Sequence, residues 1–379
     1  MGMRVSCLQE NLAHGLNIVS RAVSTRSTLP VLANVLLTTD NGRLRLAATN
    51  LDLGITAWIG ASVEEDGAIT VPARTLNDLV NTLSPERVDM DVAVRTNSLH
   101  LSCGATTANI KGIDAQDFPI MPQPGEGDDT LPIPANDLRE MISMVAFAAA
   151  RDDSRPVLTG VSISFADGLL TMAAADGFRL SVRELAIESD YYGSFSLVIP
   201  AKTLVELARI IEDDEEMVHL VLPQDRSQIL FHMSNIEVVT QLIDGAFPDY
   251  RQIIPRETPT KTVVDTMSLL QACRRADIFA REANHTVRMS IEPQDGMAGV
   301  LRVSAQSSET GENEVILDAS IEGDGMEVAF NVRYLIEVLN VAHFDRVFIG
   351  TTSADKPGVI RPVTENRFTH VVMPMHIGR

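Results

Sequence analysis

The feature that most constrains the fold of this 379-residue chain is a sequence pattern that occurs three times. Each copy contains an alternating strand, a polar turn and a second strand: GRLRLAATNLDLGIT from Gly42, DGLLTMAAADGFRLSV from Asp167 and GVLRVSAQSSETGENEV from Gly299. A strand that runs into a helix follows each copy, and the first two of these strands end at Pro72 and Pro200, 128 residues apart. A repeat of this length is a whole domain rather than a solenoid unit.

Each copy also predicts two amphipathic helices, because apolar residues recur at the i, i+3, i+4, i+7 spacing of a helix that packs on a sheet. The predicted helices cover residues 8–24, 74–83, 136–151, 202–211, 267–281 and 331–342. The apolar stripes of the opening helices are Leu8, Leu12, Leu16 and Val19, then Leu138, Met141, Ile142 and Val145, then Leu269, Ala272, Cys273 and Ala276.

Proline-rich stretches separate the copies and are interpreted as linkers. They are FPIMPQPGEGDDTLPIP from Phe118 and FPDYRQIIPRETPTK from Phe247. The sequence therefore predicts an α+β protein of three repeated domains, 1–125, 126–255 and 256–379, each with two helices packed on β-sheets. Aromatic residues make up only 4% of the chain, so aliphatic residues and methionine must form the cores.

Three domains in a row leave an unpaired sheet edge at each end, and such edges are normally paired, covered or charged. Two chains that meet head to tail would pair both ends and close a ring, if the repeats follow a curved path. Ile278 and Phe279 lie off the apolar stripe of the third opening helix and are candidates for this contact. A local loop that packs over them is the alternative.

Charge is distributed unevenly over the chain. The formal net charge of −20 argues against nucleic acid as a partner, because proteins that bind phosphates usually carry a positive surface. This inference concerns the surface on average and not each face. The six predicted helices nevertheless contain ten basic and seven acidic residues. Arg74, Lys202 and Arg333 occupy the same place in each repeat, the first turn of the second helix, where the helix dipole disfavours a cation. A recurring cation at a disfavoured position indicates an anionic partner for the helices, although solvated surface charges would explain any one of them.

The sequence contains no motif for bond-making chemistry. It has no P-loop, dinucleotide-binding, nucleophile-elbow or H-E-x-x-H pattern, and its eight histidines are scattered. We therefore expect no catalytic site, no cofactor and no metal. A hydrolase with an acidic site between domains is the enzyme alternative, and it requires titratable groups that converge in one cleft.

The cellular compartment is predicted from the cysteines and the N-terminus. Cys7, Cys103 and Cys273 are far apart and form no C-x-x-C pair, which favours a reducing cytoplasm over a disulfide framework or a zinc site. The N-terminus shows no signal-peptide pattern, and no stretch is long and apolar enough to span a membrane. A secreted, β-rich adhesive repeat protein, the third alternative, would need such a signal.

The chain resembles the bacterial sliding clamp family, the β subunits of DNA polymerase III, over its whole length. The most specific matches are RSTLPVLANVLL from Arg26, AADGFRLSV from Ala174, GAFPDYRQIIP from Gly245, FNVRYLIEVL from Phe330 and HVVMPM from His370. The resemblance implies a head-to-tail homodimer of three-domain subunits, each forming half of a ring, with helices around a hole for duplex DNA. It also implies docking of the replicative polymerase, the clamp loader and repair proteins, and no membrane association.

The resemblance implies that partners insert a short extended peptide into a pocket between the second and third domains. The matching residues are Leu158, Ala175, Gly177, Phe178, Arg179, Leu180, Pro248, Ile253, Tyr334, Val371, Val372, Met373, Pro374 and Met375. The chain departs from the family pattern at Phe178, Ala175 and Gln252, where histidine, threonine and a basic residue are common. We expect a more apolar pocket and a different peptide preference.

From the resemblance, Arg26 and Arg74 are carried over as DNA contacts, and the remaining basic helix residues are expected to act only as a field of positive charge. The expected DNA-binding residues are Arg26, Arg74, Lys202, Arg209, Arg274, Arg275 and Arg281. The expected dimer contacts are Ile110, Ile278 and Phe279.

Overall fold

The fold is that of a computed structural model, which describes residues 2–24, 29–125, 127–189, 191–212, 216–223, 227–296, 298–364 and 367–376. The α-helices in these ranges are α1 Gln9–Val19, α2 Ala73–Val80, α3 Ala135–Val145, α4 Ala201–Ile210, α5 Thr266–Ala280 and α6 Val332–Val341. None of the described helices is long and apolar enough to cross a membrane.

The strands follow the same order in each third of the chain. The first third contains β1 Arg4–Leu8, β2 Asn34–Asp40, β3 Arg43–Thr49, β4 Leu53–Gly60, β5 Ser62–Glu65, β6 Ala68–Pro72, β7 Arg87–Ala93, β8 Ser98–Cys103 and β9 Thr106–Lys111. The middle third contains β10 Asp129–Pro134, β11 Gly160–Ala166, β12 Leu169–Ala175, β13 Arg179–Ala186, β14 Phe195–Pro200, β15 Met217–Leu222, β16 Gln228–His232 and β17 Ile236–Gln241. The last third contains β18 Thr260–Asp265, β19 Thr286–Pro293, β20 Ala298–Ser307, β21 Gly311–Glu322, β22 Met326–Asn331, β23 Arg346–Thr351, β24 Gly358–Pro362 and β25 Phe368–Val372.

The chain forms two compact units. The first comprises the described residues up to Leu138 together with Glu206–Leu242, and the second comprises Arg139–Val205 and the described residues from Ile243 onward. The first unit contains a five-stranded sheet, β5-β1-β7-β8-β9, and an eight-stranded sheet, β10-β15-β16-β17-β4-β3-β2-β6. The second unit contains one twelve-stranded sheet, β14-β11-β12-β13-β25-β24-β23-β18-β21-β20-β19-β22.

Two strand pairings join successive repeats, and they have the same geometry. At the first seam, which we define as the pairing of β17 with β4, Thr240 lies opposite Leu53. At the second seam, the pairing of β25 with β13, Val372 lies opposite Arg179. Both ladders are antiparallel. Each seam therefore places the last strand of one repeat beside the fourth core strand of the repeat before it.

Most of the predicted helix stripes are buried, and Leu8 is the exception. Leu12, Leu16 and Val19 are buried, as are all eight stripe residues predicted in the other two opening helices. The inclusion of Leu8 was wrong, because it ends β1 and strand alternation turns its side chain to solvent while Cys7 points inward.

Two predicted helices are too long. The ranges 8–24 and 136–151 extend beyond α1 and α3, which continue as the 3-10 turns Ser20–Ala22 and Ala146–Ala148. Ala146 and Ala148 are buried, so their apolar character reflects tertiary packing rather than a longer helix.

Candidate functional site

One face of the second seam carries a buried apolar cluster with exposed apolar side chains beside it, and we call the two together the second-seam groove. Its floor is the buried cluster Ala173, Leu180, Val182 and Val371. Because side chains alternate along a strand, Leu180 and Val182 share one face of β13, and the ladder sets Val371 of β25 directly opposite Leu180. The segment between the second and third repeats packs over this floor through Phe247, Tyr250 and Ile254. Burial raises the pKa of the Tyr250 hydroxyl, so the ring acts here as an apolar wall.

The rim of the groove is apolar and open to solvent. Phe178 is 60% exposed, and Ile253 and Met373 are also exposed. The Met373 amide donates to the Phe178 carbonyl at 2.8 Å, which continues the ladder past the end of β25. Gly177 has φ +94°, a conformation that favours glycine, and the Asp176 carboxylate accepts from the Phe178 amide at 2.8 Å. This turn presents the Phe178 ring at the rim.

Arg179 lies on the opposite face of the sheet, and its side chain is only 3% exposed. Its guanidinium donates to the Asp176 carboxylate at 3.0 Å, to the Phe147 carbonyl at 2.8 Å and to the Glu337 carboxylate. The guanidinium carbon also lies 4.5 Å from the centre of the Tyr334 ring. A buried cation needs such a set of partners. We call Arg179 and these partners the arginine brace, because they connect β13 with α6.

His370 lies next to the brace, on the face of the second seam that is opposite the groove floor. We call the side chains on this face of a seam its inner row. It is completely buried, stacks on Phe147 with ring centres 5.6 Å apart, and shares a hydrogen bond with Ser181, 2.6 Å between Nδ1 and Oγ. Its Nε2 has no hydrogen-bond partner among the described residues. Burial, and then the Arg179 charge, lower the pKa of His370 to about 3, so the ring is neutral at physiological pH.

The structure brings only some of the expected peptide-binding residues to the groove. Leu180 and Val371 belong to its floor, Ala175 packs against that floor, and Gly177, Phe178, Ile253 and Met373 lie at its rim. Pro248 is exposed beside Phe247, and Pro374 follows Met373 and is half-buried.

Other expected residues point elsewhere. Val372 packs in the core with α5 and α6, Leu158 is buried in the 3-10 turn Pro156–Thr159, and the Arg179 and Tyr334 side chains contact each other. The Met375 amide donates to the Ala329 carbonyl at 2.8 Å. These residues support the groove rather than line its floor.

Sequence reasoning missed five groove residues: Ala173, Val182, Phe247, Tyr250 and Ile254. Val182 could have been found, because it is two residues from Leu180 on a strand and therefore shares its face. Ala173 lies on β12 inside a quoted stretch. Phe247, Tyr250 and Ile254 also lie in a quoted stretch, but their contact with the floor depends on the path of the segment after β17.

The recurring cations lie where the sequence predicted them. Arg74, Lys202 and Arg333 are each the second residue of a helix, α2, α4 and α6, and all three are exposed. Lys202 and Arg333 make no ion pair with another described residue, whereas Arg74 lies 3.6 Å from the Asp78 carboxylate. Arg26 lies outside the described residues.

The other expected cations in the described residues are exposed, and two of them are partly neutralised by acidic partners. Arg209 pairs with Glu206 at 2.6 Å and Arg281 with Asp277 at 3.5 Å. Arg274 donates to the Asn340 side chain at 2.7 Å, and Arg275 makes no ion pair with a described residue. These helices therefore present a modest positive charge.

The expected dimer contacts lie on two different sheets. Ile110 is buried on the inner face of β9, the end strand of the five-stranded sheet. Ile278 is 57% exposed on α5, and Phe279 is half-buried against the core beneath it. α5 packs on β20 and β21. Residues 311–319 of β21 pair only with β20 among the described strands, so this stretch is a second open edge.

The chain matches known proteins over its full length. The family models of the N-terminal, central and C-terminal domains of the DNA polymerase III beta subunit match residues 3–122, 132–249 and 251–376. A beta sliding clamp of Synechococcus elongatus is 34% identical over 99% of this chain and 100% of that protein.

Solved structures give the same result. The DNA polymerase sliding clamp of Bacillus subtilis has a TM-score of 0.94 and 27% identity, with 100% of both chains covered. A sliding clamp of Pseudomonas aeruginosa, crystallised with griselimycin, has a TM-score of 0.91 and 29% identity, again with 100% of both chains covered. With three matched domains and a fold shared along its whole length, this chain belongs to the DNA polymerase III beta subunit family, the beta sliding clamps.

Proposed function

We propose that this protein is a processivity factor that encircles duplex DNA as a head-to-tail dimeric ring and tethers the replicative polymerase, without catalysis of its own. The observation that carries the proposal is the pair of equivalent seams together with two leftover edges. Two junctions between three repeats use β17 with β4 and β25 with β13. In both junctions the last strand of one repeat pairs with the fourth strand of another repeat. We infer that β9, the last strand of the first repeat, pairs in the same way with residues 311–319 of β21, the fourth strand of the third repeat, in a second copy of the chain. We call this pairing the third seam.

The two seams also predict the register of the third. Ile110 is the repeat equivalent of Thr240 and Val372, because each pairs with the corresponding residue of the preceding strand: Leu99, Ile229 and Gly358. Gly311 corresponds in the same way to Leu53 and Arg179. We therefore infer that Ile110 lies opposite Gly311 and Ala108 opposite Asn313 in the partner. The absence of a side chain at Gly311 leaves space for Ile110.

Side-chain chemistry supports this register. Asn313 has a buried Oδ1 with no hydrogen-bond partner among the described residues. Val315 and Leu317, further along the same face, pack in the core under α5, which also carries Ile278 and Phe279. Ile110 of one copy would thus join a row of side chains in the other copy that is apolar from Val315 onward. The three expected dimer residues fit one interface.

The charge pattern suits a ring that slides. A protein that holds DNA by enclosing it needs few phosphate contacts, and many such contacts would bind the DNA tightly and slow movement. The exposed cations Lys202, Arg275 and Arg333 supply a weak positive field, while Arg209 and Arg281 are partly neutralised. A net charge of −20 over the whole chain discourages DNA from binding elsewhere.

The second-seam groove suits short peptide segments of the polymerase, the clamp loader and repair proteins. Its floor is apolar, its rim carries Phe178, Ile253 and Met373, and a flexible thioether adapts to different partner side chains. A polymerase tethered here stays at a high effective concentration near its primer end.

Cross-linking across the proposed third seam tests the dimer. The double variant Ala108→Cys with Asn313→Cys should form a covalent dimer on mild oxidation, at twice the 41.2 kDa chain mass, because directly opposed residues lie within disulfide range. The native cysteines Cys7, Cys103 and Cys273 are buried and should not compete.

The matched control shifts the register by one residue. Thr107→Cys with Asn313→Cys puts the two thiols on opposite faces of the sheet and should stay monomeric on a denaturing gel. Equal cross-linking of both variants, or of neither, would contradict the proposed ring.

A further inference from the structure

The first seam carries a cavity of about 270 Å³ on its outer face. Its walls come from the turn between β3 and β4, from the segment after Phe118 and from the end of β17. The lining residues are Thr49, Leu51, Asp52, Gly54, Pro119, Ile120, Met121, Pro122, Gln228, Val239, Thr240 and Gln241. All of them belong to the first compact unit.

Each wall is the repeat equivalent of a wall of the second-seam groove. Val239 and Thr240 of β17 correspond to Val371 and Val372 of β25, because the two ladders share one register. The turn at residues 49–54 corresponds in the same way to residues 175–180. Phe118-Pro119 corresponds to Phe247-Pro248, so Met121 takes the place of Tyr250. The first seam thus has the architecture of the proposed peptide groove.

The protein's own Met121 occupies this first-seam groove. It packs on the buried cluster Val221, Leu230 and Val239. A Cβ added to Gly54 would lie 2.3 Å from the Met121 Cε, so the methionine fills space that a larger residue at position 54 would need. The equivalent residue at the second seam is Leu180, whose side chain forms the floor. Met121 corresponds to Tyr250 in the repeat, but its side chain fills the space that the Leu180 side chain fills at the second seam.

The rim combines apolar side chains with one negative charge. Ile120 is 97% exposed, and Leu51 is also exposed, so two aliphatic side chains face water beside the cavity. Among the described residues that line the cavity, Asp52 is the one that carries a charge. The second-seam groove has two arginines nearby: Arg155 donates to the Asp176 carbonyl, and Arg251 lies against the Tyr250 ring. Of the carboxylates there, that of Asp176 is paired with Arg179 and that of Asp249 accepts from the Arg251 amide. The two grooves should therefore prefer peptides of opposite charge.

We propose that the first-seam groove is a second docking site, which takes an extended apolar peptide segment carrying a basic residue once Met121 moves aside. The proposal rests on the proposed function, because it assumes that the equivalent second-seam groove binds peptides. Methionine suits this role, since its unbranched side chain can leave one packed position for another at low cost. A partner with both kinds of segment would bind the two seams of one chain at once.

Photo-cross-linking with the full-length protein tests the proposal. The probes are two ten-residue peptides with a benzophenone group and two adjacent leucines, one with a flanking lysine and the other with a glutamate at that place. Mass spectrometry of the digested protein then assigns each cross-link to residues 49–54 and 119–122 or to residues 175–180 and 247–254. We expect the lysine peptide at the first seam and the glutamate peptide at the second.

Variants at both seams sharpen the test. Met121→Ala should strengthen lysine-peptide binding at the first seam by about five-fold or more, because no side chain has to be displaced. Tyr250→Ala, the repeat-equivalent change, should leave that value unchanged. Asp52→Lys, at an exposed position, should reverse the charge preference of the first seam alone.

The outcomes separate this inference from the proposed function. Cross-links of both peptides at the second seam alone, in the wild type and in Met121→Ala, would overturn the second docking site and leave the first proposal standing. Cross-links at neither seam would overturn peptide docking as a whole.

Discussion

The first and second seams have the same ladder and register but different inner rows. At the first seam three buried residues of the inner row are apolar: Leu53 and Ile55 on β4 and Val238 on β17. At the second seam the equivalent positions are Arg179, Ser181 and His370, all buried. One junction is thus held by apolar burial, and the other also contains buried polar groups that need hydrogen-bond partners.

The same junction between repeats is therefore built from two different kinds of side chain. Apolar burial tolerates small shifts, whereas the arginine brace connects β13 with α6 through charged hydrogen bonds of defined geometry. The Met373 amide continues the ladder to the carbonyl of Phe178, the residue before Arg179. The outer faces differ accordingly: the first groove contains Met121, and the second exposes Phe178, Ile253 and Met373.

The largest contrast is expected from removing the buried cation. Arg179→Met leaves the Asp176 and Glu337 carboxylates without their buried partner, and should lower the free energy of unfolding of the second unit by about 3 to 5 kcal/mol. The repeat-equivalent Leu53→Met keeps side-chain volume and should cost less than about 1.5 kcal/mol. Hydrogen exchange in increasing urea measures both losses, at β25 for Arg179→Met and at β17 for Leu53→Met. Equal losses would contradict the contrast between the seams.

Acid should weaken the second seam before the first. Below pH 6.5 the unfolded chain takes up a proton at His370 that the folded chain accepts only near pH 3, so the free energy of unfolding falls as pH drops through this window. The slope from this residue is roughly 1 kcal/mol per pH unit. His370→Asn removes it.

Hydrogen exchange between pH 6.5 and 5 provides the measurement, since most carboxylates are still ionised there. Strands β13 and β25 should lose protection in the wild type but not in His370→Asn. Equal loss at β4 and β17 would mean that His370 is not the cause.

A smaller effect is expected at the exposed rim. Phe178→Ser should weaken binding of an apolar peptide to the second-seam groove by roughly five- to ten-fold, through lost apolar contact, with little change in stability. Tyr192→Ser, at a similarly exposed aromatic residue outside the groove, should leave affinity unchanged. Fluorescence anisotropy with a labelled peptide measures both constants. An unchanged affinity in Phe178→Ser would remove this ring from the site.

The smallest effect concerns a position that all three repeats share. Replacing Arg74, Lys202 and Arg333 together by serine should shorten retention on circular DNA by about two- to three-fold and reduce its dependence on salt, because a weak field is lost and enclosure remains. Replacing Arg4, Arg87 and Lys261, which lie on strands and have acidic partners, is the control of equal charge. Release as fast as from linear DNA would show that phosphate contacts, not enclosure, hold the protein.

The sequence predicted the repeated units, because hydrophobic periodicity and proline-rich segments are local signals. It predicted the cations at Arg74, Lys202 and Arg333, which depend on helix position alone. It did not predict that Arg179 points away from the groove, because AADGFRLSV carries no local signal that β13 begins at Arg179. The contact of Arg179 with Tyr334 depends on how β25 pairs with β13, which no local pattern specifies.

Retention on circular DNA tests enclosure most directly. The protein is loaded by its clamp loader onto nicked circular duplex DNA, isolated by gel filtration, and half of the sample is linearised with a restriction enzyme. We predict that it stays on the circle and leaves the linear form, because a ring slides off a free end. Equal retention on both forms would contradict encirclement.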